Sequence, residues 1–342
     1  MISTITITLV FFTVLIIGHE AGHFLTAKFF GLKVHEFGFG FPPKLLSRII
    51  KGTKYSLNLI PFGGFVRIHG ENLTDIMDVS DRTNFQNLFW IKKVVIIASG
   101  VFVNLVMGYL AISLVFFIGI TQSLFVTDVM ENSPAKIAGF LPQDKILDFK
   151  TNSDFVNFLK NNEGKEILIS VIRSGQEINL KANPRTNPKE GEGRLGVILT
   201  EDGIAKSSIP ESLVMGAQAS FNIILKIIET FINLFTGIFS ANLDILNKVS
   251  GPVGVVGALG EANSLGLVYL LQLFGLISLN LAVLNFLPIP ALDGGRLLFI
   301  VIEKITRKKI DLKVESVFHI VGFLILIALM TIITAHDIIK IL

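Results

Sequence analysis

The sequence predicts a polytopic α-helical membrane protein of about four transmembrane helices, with a cytoplasmic-side re-entrant β-hairpin and one small extracytoplasmic α+β domain. Three observations carry this. The 342 residues are 51% hydrophobic and only 17% charged, where a soluble domain carries roughly 25% charged residues. Four apolar stretches, at about 2–30, 94–120, 265–287 and 317–333, each approach the ~20 residues that hydrocarbon requires. Lysine and arginine collect in the loops after the first and third stretches, the positive-inside signature of cytoplasmic loops. The chain has no cysteine, which excludes disulfides, thiolate metal sites and thiol nucleophiles, so any metal must be held by His, Asp or Glu. The net charge is +3 and no basic stripe interleaved with aromatics appears, so no nucleic-acid partner is expected.

Residues 1–30 form transmembrane helix 1. It lacks a basic n-region and does not read as a cleaved signal peptide. Residues 31–90 form a basic cytoplasmic-side loop. Within it, "KYSLNLIPFGGFVRIHG" alternates Tyr55, Leu57 and Leu59 and continues through Gly63 and Gly64, which reads as a hairpin dipping toward the bilayer. Residues 91–120 form helix 2. The 121–200 region mixes charge signs and holds a short helix at "DFVNFLKNN", a hairpin around Ser174-Gly175 and a closing strand at "GRLGVIL". Within 201–262, the 208–239 segment carries Lys226 and Glu229 on an otherwise apolar run, and reads as an amphipathic helix on the membrane surface. "SGPVGVVGALG" reads as a Gly-rich loop. Residues 263–295 hold helix 3. Residues 296–342 hold a basic loop (Arg296, Lys304, Arg307, Lys308, Lys309 and Lys313 against Glu303 and Asp311) and helix 4. Both termini then lie outside.

Helix 1 carries "HEAGH". His19 and His23 are four apart and share one helix face, so both imidazoles can reach one cation. Glu20 is offset by about 100° and can stand beside the metal without ligating it. This is the H-E-x-x-H pattern of two zinc ligands plus a glutamate general base. The alternative is a polar helix–helix contact, which the flanking small residues also permit.

A catalytic zinc needs three protein ligands and an open position. By residue type the third is His35, His69, His319, His336 or Asp293. His35 and His69 lie in the loop, and His319 and His336 read as packing or interfacial residues of helix 4. Asp293, in "NFLPIPALDGGRL", is better placed, because the topology brings it to the depth of His19 and His23; its other reading is a turn or capping aspartate. Pro288 and Pro290 interrupt the helix there, which lipid tolerates only where backbone lines a protein cavity.

"HEAGH" together with "NFLPIPALDGG" resembles the site-2 protease family of intramembrane metalloproteases, in its bacterial regulator-of-sigma-E-protease (RseP-like) group. "GFGFPPKLL", "NLIPFGGFVRI", "SGPVGV" and "ENSPAKIAG", the last like the opening of a PDZ domain, extend the resemblance over nearly the whole chain. It implies zinc on His19, His23 and Asp293, Glu20 as general base and later acid, and Asn285 on the substrate or the oxyanion. It implies single-span membrane substrates such as anti-sigma factors or signal-peptide remnants, and a bacterial cytoplasmic (inner) membrane location with the PDZ-like domain outside. Departures exist. There is room for one PDZ-like domain where the best-known relatives carry two. Gln143 stands where the family usually has glycine, at a cost of order 1 kcal/mol if the turn needs φ > 0. "SGVFVN" keeps Gly100 and Asn104 but places Val101 at the family's proline.

A transmembrane substrate must unwind before cleavage, and a sheet edge can hold the extended form. The strand through Gly63 and Gly64 is the expected edge, with Pro288 and Asn285 as further substrate contacts. The PDZ-like domain is expected to take an extended peptide. Two rivals use the same residues: a zinc transporter or sensor, disfavoured because helices 2 and 4 supply almost no ionisable path, and a non-proteolytic PDZ scaffold in which Glu20 is dispensable.

Overall fold

The computed structural model describes residues 2–71, 81–173, 176–188, 192–239 and 251–341. The chain divides into two compact units, one from Val115 to Ile209 and the other from the remainder on either side.

In the larger unit, five helices among the described residues are long and apolar enough to cross a membrane: Ile5–Phe29, Trp90–Ile118, Ile209–Leu234, Leu267–Phe286 and Lys313–Ile339. They belong to α1 (Ile2–Phe29), α2 (Trp90–Ile118), α5 (Ile209–Phe239), α7 (Leu267–Phe286) and α9 (Leu312–Ile341). This is the architecture of a polytopic membrane protein, since helices apolar all round belong in lipid. Small residues set the close approaches, as expected where lipid supplies no hydrophobic drive between helices. A Cβ on Gly22 of α1 would meet the Ser99 carbonyl oxygen of α2 at 2.5 Å. Along α5, Ser212, Gly216 and Ser220 recur every four residues; both serines are buried, and a side chain at Gly216 would collide with Ser113 of α2. That stripe within the amphipathic segment was not apparent from its charges.

The Gly-rich stretch is a helix, not a loop. α6 (Pro252–Leu265) starts with proline in its first turn, where the missing N–H costs nothing. Asp337 of α9 accepts the Gly254 N–H at 2.9 Å, satisfying a free donor of the first turn. Leu259 is buried against Phe11 and Leu15 of α1.

The hairpin is also partitioned differently from the expectation. β1 (Val34–Ile50) and β2 (Thr53–Ile68) turn at Lys51-Gly52. Both turn residues have positive φ, 47° and 78°, as a type I′ turn requires. Gly63 and Gly64 lie within β2. Both strands bend, so Glu36–Phe39 pairs on one side with Lys54–Leu57 and on the other with Gly64–Arg67. The result is a small sheet whose outer strand is 64–68, with no strand on its far side among the described residues.

The 115–209 unit is a five-stranded antiparallel sheet, ordered β6-β5-β4-β3-β7. Its strands are β3 (Ile120–Val129), β4 (Lys145–Ile146), β5 (Ile167–Arg173), β6 (Gln176–Ala182) and β7 (Val197–Ile204), with α3 (Pro134–Ala138) and α4 (Asn152–Asn161) packed on it. "SPAKIAG" supplies α3 with a serine cap, Ser133 Oγ accepting the Lys136 N–H at 3.1 Å, proline in the first turn, and Gly139 in the left-handed conformation at the end, each where helix ends favour it. Leu124, Phe140, Ile146, Phe155 and Ile169 centre one apolar core. β5 and β6 pair as the expected hairpin; its Ser174-Gly175 turn lies outside the described residues. Gln143 does adopt φ +73°, so the strained alternative holds.

Candidate metal centre

α1 runs without a break through His19, Glu20 and His23, so the four-residue spacing becomes one face. Asp293 does not end the third long helix, as the sequence suggested. α7 stops at Phe286, the chain crosses Leu287–Leu292 outside any helix, and Asp293 is the first residue of a separate amphipathic helix, α8 (Asp293–Thr306). Pro288 and Pro290 sit in that break. Gly294 and Gly295 are needed because α8 folds back on it: side chains there would strike the Leu287 and Ile289 carbonyls.

The three side chains converge. His19 Nε2 and His23 Nε2 lie 3.1 and 3.3 Å from Asp293 Oδ2, and 3.3 Å from each other. Among the described residues this is the group of three or more His, Asp and Glu ligand atoms that could share an ion. Asp293 Oδ2 is buried and has no hydrogen-bond partner among the described residues, a costly state for a carboxylate oxygen unless a cation faces it. The groups that hold the two imidazoles from behind agree with such a cation. His23 Nδ1 lies 2.9 Å from the Ile96 carbonyl; it must donate, which leaves the Nε2 lone pair for a metal. His19 Nδ1 lies 3.2 Å from the Asn104 amide nitrogen, while Asn104 Oδ1 is buried without a partner. Amide oxygen and nitrogen are placed by hydrogen bonding. Turning this amide sets Oδ1 to accept His19 Nδ1–H and frees His19 Nε2 in the same way. Ser278 Oγ holds the Asn104 backbone carbonyl at 2.7 Å. A Cβ at Gly100 would come within 2.8 Å of the His19 ring and closer still to His23, so only glycine lets α2 pass behind both imidazoles. Two imidazoles and one carboxylate with space beside them fit a zinc of the catalytic type.

Glu20 lines the same cavity of about 750 Å³ as the three candidate ligands, with Gly64 to Ile68 of β2 on its wall. A Cβ on Gly64 would meet Glu20 Cγ at 2.8 Å, so the absence of a side chain lets the outer strand lie on the helix face that bears the glutamate. Gly63 has φ +95° and faces Phe41 instead. Asn285 and Pro288 are not among the lining residues. His35 and His69 pair with each other at 3.1 Å, and His69 with Asp81 at 2.9 Å; neither belongs to the three-residue group. His336 is likewise apart from it. His319, read from sequence as a packing or interfacial residue, lines the cavity, as do Arg296 and Glu71, which form an ion pair.

The profile described as peptidase family M50 matches residues 7–329. The chain belongs to peptidase family M50. Among its relatives, a Clostridium perfringens protein bearing a zinc metalloprotease name is 33% identical over 98% of both chains. One from Fusobacterium nucleatum with a similar name is 32% identical, covering 98% of this chain and 99% of its own. Zinc metalloprotease RasP of Shouchella clausii is 27% identical over 99% of both. The chain is therefore a multi-pass membrane peptidase, and the family match spans both motifs that form the three-residue group.

Proposed function

We propose that this protein is an intramembrane zinc endopeptidase that hydrolyses peptide bonds within the transmembrane segment of single-span membrane proteins, such as anti-sigma factor-like proteins or signal-peptide remnants, in regulated intramembrane proteolysis. The observation that carries the reading is the convergence of His19, His23 and Asp293 on one point beside Glu20, on the wall of a cavity edged by a free strand. His19, His23 and Asp293 would hold the zinc, which supplies Lewis-acid polarisation of the scissile carbonyl. Glu20 takes the proton of the attacking water and delivers it to the leaving amine. The 64–68 edge, which has no strand on its far side among the described residues, offers its backbone to an unwound substrate as an added strand, next to Glu20. Substrate contacts at Asn285 and Pro288 rest on the family resemblance rather than on the cavity lining.

In the 115–209 unit, β7 is an edge strand, and a groove of about 220 Å³ runs beside it, lined by Phe155, Leu159, Leu195 and Val197. This supports a PDZ-like capture of an extended peptide by strand addition. The loop charges support a bacterial cytoplasmic-membrane topology with four spans, α5 lying at the interface and this unit outside.

The test is cleavage of a reconstituted single-span substrate in liposomes by wild type and Glu20→Gln. Cleavage by the variant falls by ~10²–10⁴-fold while zinc stays bound. A wild type that cleaves none of several substrates would move the assignment to a non-proteolytic scaffold or a zinc transporter or sensor. An active Glu20→Gln would remove the assigned base.

A further inference from the structure

His319, on α9, is a third imidazole at this cavity, and its two nitrogens are in different situations. Nδ1 accepts the Ala291 N–H at 2.9 Å. A peptide N–H can only donate, so Nδ1 carries the lone pair and Nε2 carries the hydrogen. Nε2 is buried and has no hydrogen-bond partner among the described residues; Glu315 Oε1, at 4.0 Å, is beyond hydrogen-bond reach. The ring stands on the cavity wall with His19, Glu20, His23 and Asp293. Its Cε1 lies 3.2 Å from where a Gly295 Cβ would be, so the glycine pair also makes room for it. Ala291 itself has φ +73°, two residues before Asp293. His319 therefore pins a strained turn with one nitrogen, and the same cavity-lining ring carries a buried, unused donor on the other.

We propose that His319 Nε2–H donates to a backbone carbonyl of the polypeptide segment that lies across the cavity. This rests on the protease reading and adds a substrate contact to it. An unwound transmembrane segment brings carbonyls that have lost their helical hydrogen bonds, and in a site screened from water each needs a donor. The 64–68 edge satisfies one side of such a strand; His319, from a different element, reaches a carbonyl the edge does not.

Two substitutions separate the two nitrogens. In His319→Asn the amide oxygen takes the place of Nδ1 and the cavity donor is lost. In His319→Gln the amide nitrogen takes the place of Nε2 and the turn anchor is lost. The readouts are zinc content, cleavage kinetics, and the affinity of a synthetic single-span peptide for chelator-stripped protein. His319→Asn is expected to keep its zinc, with peptide affinity and kcat/KM each about tenfold lower, the worth of one neutral hydrogen bond. His319→Gln is expected to hold the peptide within about threefold of wild type, the donor being retained. Wild-type affinity in His319→Asn, zinc loss in it, or equal weakening in both variants would overturn the proposal. If wild type binds the peptide but cleaves nothing, the protease reading fails while the binding comparison still decides this contact; if it does neither, both fall.

Discussion

In the 115–209 unit, buried charge is cancelled on the spot. Asp144 is fully buried, and Arg173 meets it with two hydrogen bonds of 2.7 Å, while the Leu141 N–H adds a third at 2.9 Å. Around them packs an ordinary apolar core of Leu, Ile, Val and Phe. In the helical unit, His19, His23 and Asp293 face one another with lone pairs, and Asp293 Oδ2 has no donor among the described residues. The residues behind the imidazoles (Ile96, Asn104, Gly100) instead turn those lone pairs toward a common point. The first arrangement is complete without a ligand and stabilises a fold. The second is incomplete without a cation, and it sits where polar burial costs most. An unsatisfied polar cluster beside a satisfied one in the same chain separates chemistry from architecture.

Four substitutions or conditions sharpen that contrast. The largest effect is expected from Asp144→Ala, which leaves Arg173 without its partner and should destabilise the 115–209 unit by about 3 kcal/mol. Thermal melting should show the loss while the zinc content stays that of wild type; equal loss of zinc would erase the distinction. Asn104→Ala should do the reverse. Removing a partner that orients a ligand weakens metal affinity by roughly 10–100-fold, readable by chelator competition, with the melting of the 115–209 unit unchanged. Gln143→Gly should stabilise that unit by about 1 kcal/mol, because glycine adopts φ +73° without the Cβ penalty; its N–H donates to the Val126 carbonyl at 2.7 Å in either case. The smallest effect concerns the loop. Thr83, through its hydroxyl at 2.7 Å and its N–H at 2.8 Å, together with His69, holds the Asp81 carboxyl below its usual 3.8. A depressed carboxylate contributes stability above that value and loses it as pH falls through the folded one. Hydrogen exchange at Thr83 should therefore quicken only below about pH 3.8, and Asp81→Asn should abolish that dependence.

The site was more legible than its supports. His19 and His23 share a helix turn, so local periodicity is enough to pair them. Asp293 could be joined to them because charged loops fix which helix ends share a depth. The helix count was nearly as accessible, since span length is set by lipid and read from runs of apolar residues. His319 carries no such signal: one histidine in an apolar helix looks the same whether it faces lipid, a neighbour or a cavity, and its partner Ala291 lies 28 residues away. Asp337, capping α6 from 83 residues away, turned a stretch whose glycines read as loop into helix. The hairpin was read within residues 54–70, whereas its turn is Lys51-Gly52 and its first strand is Val34–Ile50. Gly64 serves the passage of β2 over Glu20. Where the reading failed, it did so at contacts between distant elements.

The most direct test is the metal itself. Purified wild-type protein should carry a single zinc per chain, and Asp293→Ala should lose it while remaining folded and membrane-inserted. Wild type with no bound metal, or Asp293→Ala with undiminished zinc, would contradict the account.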